Sequence, residues 1–361
     1  MFEDFYKSKK VLITGNTGFK GSWLTTWLLN LGSEVIGYSK DIPSNPSIFE
    51  DLELSKKITD IRGDIRDIDK LQTLFNAYQP EVVFHLAAQP IVRKSYDDPI
   101  ETFTTNAIGS MNILEVARTA EKLESMVMIT SDKAYRNVEW LWGYKEDDLL
   151  GGEDPYSASK ACAEIIFFSY VNSFFKQDSS RIKISTARAG NVIGGGDWAK
   201  DRIVPDIVRS FSKKEQLVIR KPNATRPWQH VLEPLSGYLS LGQKLTEIQD
   251  INYEPFNFGP RQDVNQDVLT LVNEFSKYME STILDIQEDN SKPEAGLLKL
   301  NCDKANTLLD WNAILSFEDS IRFTGEWYGA YFEKNKDMYE FTEQQIMEYS
   351  EKANKKGLSW T

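Results

Sequence analysis

The feature that most constrains the fold is a glycine-rich turn between a strand-like and a helix-like segment near the N-terminus. The apolar residues 11–14 are followed by Gly15, Gly18 and Gly21 in a G-x-x-G-x-x-G spacing, and apolar residues then recur at helical intervals up to Leu31. Strand-like and helix-like patterns continue to alternate to about residue 190. Such alternation predicts βαβ units that build a parallel sheet.

The predicted fold class is therefore α/β, a Rossmann-type doubly wound parallel sheet with a smaller C-terminal α+β lobe. We expect residues 1–190 to form the sheet domain, with returns of the chain near residues 228–260, at 228–231 and at 256–258. From Gly194 onward the sequence becomes richer in Arg, Pro and Trp, and we assign residues 191–333 to the second lobe. Residues 334–361 are polar and helix-prone, which predicts a solvated helical tail.

A glycine turn between a strand and a helix is typical of proteins that hold a pyrophosphate at a helix N-terminus. The sequence predicts that this turn binds a dinucleotide through Gly15, Thr17, Gly18, Phe19, Lys20 and Gly21. Asp41, after the second predicted strand, would hydrogen-bond the adenosine ribose and repel a 2′-phosphate, which favours NAD over NADP. Asp41 lies slightly late for that role, and the adjacent Lys40 would tolerate a phosphate.

Two later strand ends are predicted to line the same cofactor. Asp64 and Ile65 end a third predicted strand, where we expect them to meet the adenine, with an ordinary strand-end turn as the alternative. A predicted buried strand is followed by Leu86, Ala87 and Ala88, and the small alanine side chains would let the cofactor approach closely.

Tyr156 and Lys160 are four residues apart in a helix-like segment, so their side chains share one helix face. A nearby ammonium favours phenolate, and we therefore expect the pKa of Tyr156 to fall below its usual value of about 10. A phenol tuned in this way removes a proton from a sugar or alcohol hydroxyl near neutral pH. Upstream, Ser131, Asp132 and Lys133 follow a predicted strand and offer a second acid and base, which indicates elimination as well as oxidation.

Composition argues against several classes of partner and site. The net charge of −12 over 361 residues disfavours nucleic acid or an anionic membrane surface as a partner. Two histidines and two cysteines at unrelated spacings predict no metal site. The N-terminal segment is acidic and aromatic, and no run approaches ~18 apolar residues, so we expect a cytoplasmic protein without a membrane anchor.

Together these motifs resemble the extended short-chain dehydrogenase/reductase family, in its NAD-dependent sugar epimerase/dehydratase branch. Longer segments are similar to the CDP-glucose 4,6-dehydratases of that family, at residues 130–133, 142–144, 151–156, 188–198, 226–238 and 257–260. The pair Asp132 and Lys133 is the specific part, since related dTDP-glucose dehydratases carry aspartate-glutamate there and the epimerases carry no such pair. Ala134 in place of cysteine is a departure from the family pattern, but it removes no group used in the reaction.

The resemblance implies oxidation, elimination and reduction of a nucleotide-diphosphate hexose, CDP-glucose, with NAD as cofactor. Tyr156 takes the proton of the C4 hydroxyl while the C4 hydride passes to NAD, assisted by Lys160 and Ser131. Lys133 matches the base that removes the C5 hydrogen, and Asp132 matches the acid that protonates the departing C6 hydroxyl. Hydride then returns to C6 and gives a 4-keto-6-deoxy sugar. Stabilisation of the enolate by Lys133, or a simple ion pair between Lys133 and Asp132, remain alternatives.

The residue types also indicate where the substrate binds. Bidentate arginines suit phosphate oxygens, and the lobe of residues 191–333 is expected to bind the nucleotide sugar. The candidate substrate-binding residues are Gln89, Asn191, Arg202, Arg226 and Arg261, with Arg188 as a further arginine candidate. We expect a homo-oligomer, a dimer or a tetramer, through the helices that follow Pro99 and Tyr156. A nucleotide-sugar 4-epimerase, another hexose dehydratase and a non-catalytic NAD sensor are the competing hypotheses.

Overall fold

The structure is a computed structural model that describes residues 1–177, 181–219, 221–261, 264, 266–279, 284–286, 297–333 and 335–361. Its strands are β1 (Lys10–Thr14), β2 (Glu34–Ser39), β3 (Thr59–Arg62), β4 (Val82–His85), β5 (Ser125–Ile129), β6 (Lys183–Ala189), β7 (Val192–Ile193), β8 (Leu217–Ile219), β9 (Thr225–Arg226), β10 (Gln229–His230), β11 (Pro255–Phe258), β12 (Gln266–Asp267) and β13 (Leu284–Ile286). Its α-helices are α1 (Phe19–Asn30), α2 (Ile48–Asp51), α3 (Ile68–Tyr78), α4 (Val92–Asp97), α5 (Pro99–Phe103), α6 (Gly109–Arg118), α7 (Pro155–Tyr170), α8 (Ile203–Lys213), α9 (Leu232–Glu247), α10 (Val268–Phe275), α11 (Asp303–Leu309), α12 (Phe317–Phe332) and α13 (Met338–Lys355).

Seven parallel strands form the central sheet, in the spatial order β11, β6, β5, β4, β1, β2 and β3. Strand β1 pairs with both β2 and β4, so the order of the strands reverses beside β1. This is the doubly wound arrangement, and the predicted Rossmann-type fold is confirmed. In such sheets, ligands bind outside the carboxyl ends of the strands at the point of reversal.

Helices cover both faces of the central sheet, which explains why its central strands β4 and β5 are buried at every position rather than at alternate ones. Val11 and Ile13 of β1 belong to the core under α1, α9, α12 and α13. Leu12, between them, belongs to the core under α3, α6 and α7. The period of two along β1 therefore places neighbouring side chains in two different cores.

The second half of the chain adds one strand to the large sheet and several short pairs outside it. Strand β11 pairs with β6 at the edge of the sheet. Strands β8 and β13 pair in parallel, whereas β9 and β12 pair antiparallel. The expectation that residues 228–231 re-enter the central sheet is wrong, because Gln229 and His230 pair with Val192 and Ile193 instead.

The C-terminal helix α13 is not the solvated helix that its polar composition predicts. Ile346 and Tyr349 of α13 are fully buried, and both belong to the core that α1 shares. The ring of Tyr349 meets Trp27 of α1 edge to face, with 5.8 Å between the ring centroids. A few apolar side chains at helical spacing are sufficient to bury one face of an otherwise charged helix. The average composition of residues 334–361 therefore gave the wrong prediction, because it does not show that the apolar residues lie on one face.

The described ranges contain neither a membrane-spanning helix nor a cluster of metal ligands. No helix there is long and apolar enough to cross a lipid bilayer. No cluster of three or more His, Cys, Asp or Glu side chains is placed to hold a metal ion in the same part of the chain. Cys162 and Cys302 are both free thiols, and both are partly exposed.

Candidate active site

The carboxyl end of β5 carries the serine, aspartate and lysine that the sequence singled out. The chain leaves β5 and makes a single 3-10 turn at Asp132–Ala134. Ser131 caps this turn, because its hydroxyl accepts a hydrogen bond from the backbone N–H of Lys133 at 3.2 Å. The cap fixes the Ser131 hydroxyl at the sheet edge where doubly wound folds bind ligands.

Helix α7 brings the tyrosine and the second lysine to the same place. Asp154 caps the helix by accepting a hydrogen bond from the Ser157 N–H at 3.0 Å, and Pro155 occupies the first turn. Tyr156 and Lys160 are both buried on the face of α7 that packs against the turn after β5. The Lys160 ammonium donates to the carbonyl of Ile129 at 3.5 Å.

The Ser131 hydroxyl is one of the groups that lower the pKa of the Tyr156 phenol. Burial nevertheless raises the pKa of Tyr156 to about 12, against the lowering effects of Ser131 and Arg202. The expectation that Lys160 holds the phenol below its usual pKa is therefore wrong for the chain by itself. Burial also lowers the pKa of Lys160, to about 8, which weakens the ammonium on which that expectation depended.

Asp132 is the carboxyl group of the cluster. It is 4% exposed, and burial raises its pKa, opposed by the charge of Lys133 and the hydrogen bond from Ser131. The Ser131 hydroxyl donates to Oδ1 of Asp132 at 3.0 Å. Asp132 and Lys133, both described, form no ion pair with each other, so the simple ion-pair alternative is not supported. A buried carboxyl with a raised pKa is suited to serve as a general acid.

The glycine turn after β1 is packed so closely that two of its glycines leave no room for a side chain. Gly15 has φ +78°, and a Cβ there would lie 2.7 Å from the backbone nitrogen of Ala87. A Cβ on Gly21 would lie 2.1 Å from the carbonyl oxygen of Gly15. Gly18 is the N-cap of α1, and no side-chain hydrogen bond caps this end of the helix. This geometry fits a bound pyrophosphate.

Other predicted cofactor residues surround the same turn. The Thr17 hydroxyl donates to the carbonyl of Asp41 at 2.7 Å, which joins the glycine turn to the end of β2. Asp64 is ion-paired with Arg66 at 2.6 Å, and Ile65 beside it is buried. The segment at Leu86, Ala87 and Ala88 follows β4 directly, and Leu86 donates its N–H to Thr14 at 3.0 Å.

Lys20 was predicted from its place in the glycine turn, and in the structure it also feels the charges of residues predicted for catalysis. Its ammonium lies 3.5 Å from the Tyr238 hydroxyl, and Phe19 beside it packs against the loop at Gly194. Burial lowers the pKa of Lys20 to about 7, and the charges of Arg202, Asp132 and Lys160 also act on it. Lys20 therefore lies within electrostatic reach of the groups predicted for catalysis.

The predicted substrate residues fall into two groups. Arg202 is ion-paired with Asp197 at 2.9 Å, and its charge acts on Tyr156, so the structure brings it close to the residues predicted for catalysis. Asn191 accepts a backbone hydrogen bond from Gln229, where β7 meets β10. Arg226 lies on β9. Arg261 lines a cavity of about 540 Å³ together with Pro227, Trp140 and Trp142.

Gln89 is held inside the protein by hydrogen bonds. Its side-chain amide donates to Thr102 at 2.9 Å and accepts from the N–H of Ile91 at 2.7 Å. Asn106, which the sequence reasoning missed, accepts from the Gln89 N–H at 2.8 Å and donates to Ser159 of α7 at 2.9 Å. Asn106 lies in a π-helical segment, Thr104–Ile108, a rare conformation that often marks a functional site.

Arg188 is not placed to bind phosphate, contrary to the sequence-based prediction. It is buried and paired with Glu164 through two hydrogen bonds of 2.9 and 2.8 Å. It also donates to the Tyr135 hydroxyl at 2.8 Å. Glu164 in turn accepts from Thr130, the residue before Ser131. The signal that reveals Glu164 is its spacing, because it stands four residues after Lys160 on the same face of α7.

Comparisons with known proteins agree with this geometry. The family model of GDP-mannose 4,6-dehydratase matches residues 12–324. The CDP-glucose 4,6-dehydratase of Salmonella typhimurium strain LT2 is 43% identical over 351 residues, which cover 96% of this chain and 98% of the relative. The dTDP-glucose 4,6-dehydratase of Haemophilus influenzae is 24% identical, over 88% of this chain and 97% of the relative.

Solved structures show the same fold. The structure of dTDP-glucose 4,6-dehydratase from Bacillus anthracis in complex with NAD has a TM-score of 0.75 at 20% identity, covering 91% of this chain and 97% of that one. The UDP-glucuronic acid 4-epimerase of Bacillus cereus, in complex with UDP-glucuronic acid and NAD, has a TM-score of 0.75 at 25% identity and covers 88% and 98%. With the family match over most of its length, this chain belongs to the GDP-mannose 4,6-dehydratase family.

Proposed function

We propose that this chain is a CDP-glucose 4,6-dehydratase, which converts CDP-D-glucose into CDP-4-keto-6-deoxy-D-glucose and water with NAD. The observation that carries the proposal is the cluster at the end of β5, where Ser131 donates a hydrogen bond to Asp132 and lowers the pKa of Tyr156. An oxidation site needs the tyrosine and serine, whereas elimination also needs an acid and a base. The 43% identity to a CDP-glucose 4,6-dehydratase over nearly the whole chain supports the nucleotide.

The glycine turn and the strand ends around it would hold NAD. Gly15 packs on Ala87 and Gly21 packs on Gly15 so closely that neither position can carry a side chain, and this compact turn at the start of α1 supports a pyrophosphate there. The residues assigned to the remaining contacts are Thr17, Phe19, Lys20, Asp41, Asp64, Ile65, Leu86, Ala88 and Lys160. Bound there, NAD supplies a reversible acceptor for the hydride of the sugar.

The tyrosine and the serine act on the C4 hydroxyl. Tyr156 removes the hydroxyl proton, and Ser131 orients the same oxygen. A pKa of about 12 for the tyrosine means that its phenolate needs further cationic stabilisation, which Lys160, Arg202 and a positively charged cofactor would provide. Lys160 reaches the required place from the next turn of α7.

The aspartate acts as the acid of the elimination, and the neighbouring lysine acts as its base. Asp132 gives a proton to the departing C6 hydroxyl, a role that its raised pKa supports. Lys133 removes the proton from C5 and later returns it there. A ketone at C4 makes this C5 proton acidic, so a lysine amine is a sufficiently strong base.

Substrate binding is assigned to the face of the second lobe, residues 191–333. Arg202, Arg226 and Arg261 are proposed to contact the diphosphate. Asn191 is proposed to lie near the sugar phosphate. The internal hydrogen bonds of Gln89 support a role in shaping the loop after β4, so that it reaches substrate through its backbone or through Asn106.

The proposed assembly is a homo-oligomer that buries the outer faces of α5 and α7. Ile100 on α5 is 76% exposed, and Ile165 and Phe168 on α7 are 58% and 66% exposed. Exposed apolar side chains grouped on two adjacent helices mark a protein interface.

The direct test is incubation of the purified chain with NAD and, separately, CDP-, dTDP-, UDP- and GDP-hexoses. We expect the absorbance that a 4-keto sugar shows in base to appear with CDP-glucose alone, or to appear by far most rapidly with CDP-glucose. A 4-epimerase would instead return a hexose that keeps its C6 hydroxyl, and an NAD sensor would turn over none of the four. Either result would contradict the proposed function.

A further inference from the structure

The proposed function, on which this inference rests, needs groups from two separate elements. The turn after β5 carries Ser131, Asp132 and Lys133, whereas α7 carries Tyr156 and Lys160. One hexose must meet both sets, so the turn and the helix have to keep their relative position to within about 0.5 Å. The contact of the Lys160 ammonium with the end of β5 is 3.5 Å long, so it holds the two elements only weakly.

Glu164 connects α7 to the end of β5 and to β6. It follows Lys160 by one helical turn and is 3% exposed. Its carboxylate accepts a hydrogen bond from the Thr130 hydroxyl, and Thr130 immediately precedes Ser131. It also accepts from the Thr186 hydroxyl of β6 at 2.9 Å. One side chain of α7 is therefore bonded to the residue from which the turn with the proposed catalytic groups begins.

Arg188 keeps this carboxylate charged inside the core. Its Nε and Nη2 atoms donate to the two carboxylate oxygens at 2.9 and 2.8 Å. Burial acts to raise the pKa of Glu164, but the charge of Arg188 and the donated hydrogen bonds outweigh burial, so the pKa lies below the ordinary glutamate value. Hydrogen bonds to a charged acceptor are stronger than those to a neutral one. The bond from Thr130 to Glu164 is of this stronger kind.

The same ion pair also reaches the far end of the turn. Nη1 of Arg188 donates to the Tyr135 hydroxyl at 2.8 Å, and Tyr135 directly follows the 3-10 turn. The Tyr135 hydroxyl in turn donates to Asn257 of β11 at 2.8 Å. Thr130 before the turn and Tyr135 after it are thus each hydrogen-bonded to one member of the Glu164–Arg188 pair. Both ends of this short turn are therefore attached to α7 through one buried ion pair.

We propose that the Glu164–Arg188 pair positions the turn after β5 against α7, through Thr130 at one end of the turn and Tyr135 at the other. These four side chains touch neither the sugar nor the cofactor in the proposed reaction, so they are positioning residues. They keep the groups of the turn at the distance from Tyr156 at which both sets act on the same hexose. A misplacement of about 1 Å in such a site can lower the rate by roughly 10²-fold.

The test compares two threonines that donate to the same carboxylate. Thr130→Val removes the hydroxyl beside the turn, and Thr186→Val is the matched control on β6. Both residues are buried and each variant loses one hydrogen bond to Glu164, so urea unfolding should show similar losses of stability. We expect kcat with NAD and CDP-glucose to fall by roughly 10- to 10²-fold in Thr130→Val. In Thr186→Val it should stay close to that of the unmodified protein.

Two further readouts separate position from stability. In Thr130→Val, KM for CDP-glucose and Kd for NAD should stay close to those of the unmodified protein, because no residue proposed for binding is changed. Thr130→Ser keeps the hydroxyl, so it should restore kcat. If Thr130→Val does not fold, Tyr135→Phe removes the hydroxyl at the other end of the turn, and it should show the same loss of kcat with an unchanged KM.

Equal kcat values in Thr130→Val and Thr186→Val, whether both are reduced or neither is, would overturn the proposal, as would an unchanged kcat in Tyr135→Phe. Absence of any product from the unmodified protein would instead contradict the proposed function, so the two failures are distinguishable.

Discussion

Burial is the largest influence on the ionisation of the groups at the end of β5. It raises the pKa of Tyr156 and of Asp132, and it lowers the pKa of Lys20 and of Lys160. Each shift favours the neutral form, because a charge loses solvation when its side chain is buried. The chain alone thus favours a protonated carboxyl group and lowers the tendency of the two amines to carry charge, whereas a phenolate requires added positive charge.

Substitution of Lys133 can distinguish its proposed role as a base from the proposed role of Asp132 as an acid. In Lys133→Met we expect C4 oxidation and a transient NADH absorbance to survive, because Tyr156 and Ser131 are untouched. Exchange of the C5 hydrogen with solvent and loss of water should fall by roughly 10²- to 10⁴-fold. Absorbance at the NADH band and deuterium uptake from D₂O measure the two steps, with the exposed Lys70→Met as control. Unchanged elimination would remove Lys133 from the mechanism.

Lys20 should destabilise the folded protein at low pH. Its pKa of about 7 in the native chain lies below the ordinary lysine value, so between about pH 7 and 10.5 the unfolded chain binds more protons. The free energy of unfolding must therefore rise with pH across that range. We expect Lys20→Met to be more stable than the unmodified protein by ~1–2 kcal/mol near pH 6, a gain that vanishes toward alkaline pH.

Urea unfolding at two pH values measures this difference, and the exposed Lys213→Met provides the matched control. An equal effect of Lys20→Met at both pH values would show that Lys20 keeps an ordinary pKa in the fold.

At the scale of elements, the buried carboxyl group of Glu233 joins the C-terminal helix to the rest of the fold by hydrogen bonds. Glu233 of α9 accepts hydrogen bonds from the N–H groups of Ile314 and Leu315 at 2.8 and 2.6 Å. It also accepts from the Tyr349 hydroxyl of α13 at 2.8 Å. This fully buried carboxyl group, with its three donors, links α9 both to α13 and to the segment that precedes α12.

This linkage should make stability depend on pH. Burial raises the pKa of Glu233 to about 7, so the native chain binds more protons than the unfolded chain between about pH 4.5 and 7. The stabilisation is complete below that range and is lost as pH rises through it. Glu233→Gln does not titrate, so the unmodified protein should lose ~1–3 kcal/mol relative to it between about pH 5 and pH 7.5.

Denaturant titrations at both pH values test the prediction, with the exposed Glu351→Gln of α13 as control. A constant difference between Glu233→Gln and the unmodified protein would contradict a titrating carboxyl at this position.

The sequence was sufficient for the elements that follow local patterns. The strand and glycine turn at Gly15 and the helix face shared by Tyr156 and Lys160 depend on short-range spacing, and the structure has both. The burial of α13, the pairing of Arg188 with Glu164 and the raised pKa of Tyr156 depend on residues far apart in the chain. Such effects arise only once the elements pack, and no local pattern contains them.

At the scale of the whole molecule, the proposed oligomer can be tested on α7. Phe168→Glu should shift the mass in solution to that of a single chain, because burial of an unpaired carboxylate in an apolar interface costs several kcal/mol. Size-exclusion chromatography with light scattering measures this. Leu149→Glu, at a position 72% exposed and outside these helices, is the matched control. An unchanged oligomer in Phe168→Glu would place the interface elsewhere.

CDP-glucose that carries deuterium at C4 shows directly where the hydride removed from C4 ends up. After turnover with NAD, mass spectrometry and NMR should find that deuterium at C6 of the 4-keto-6-deoxy product, within the same molecule. Deuterium that stays at C4, or that is lost from the sugar altogether, would contradict an enzyme that oxidises, dehydrates and reduces one hexose at a single site.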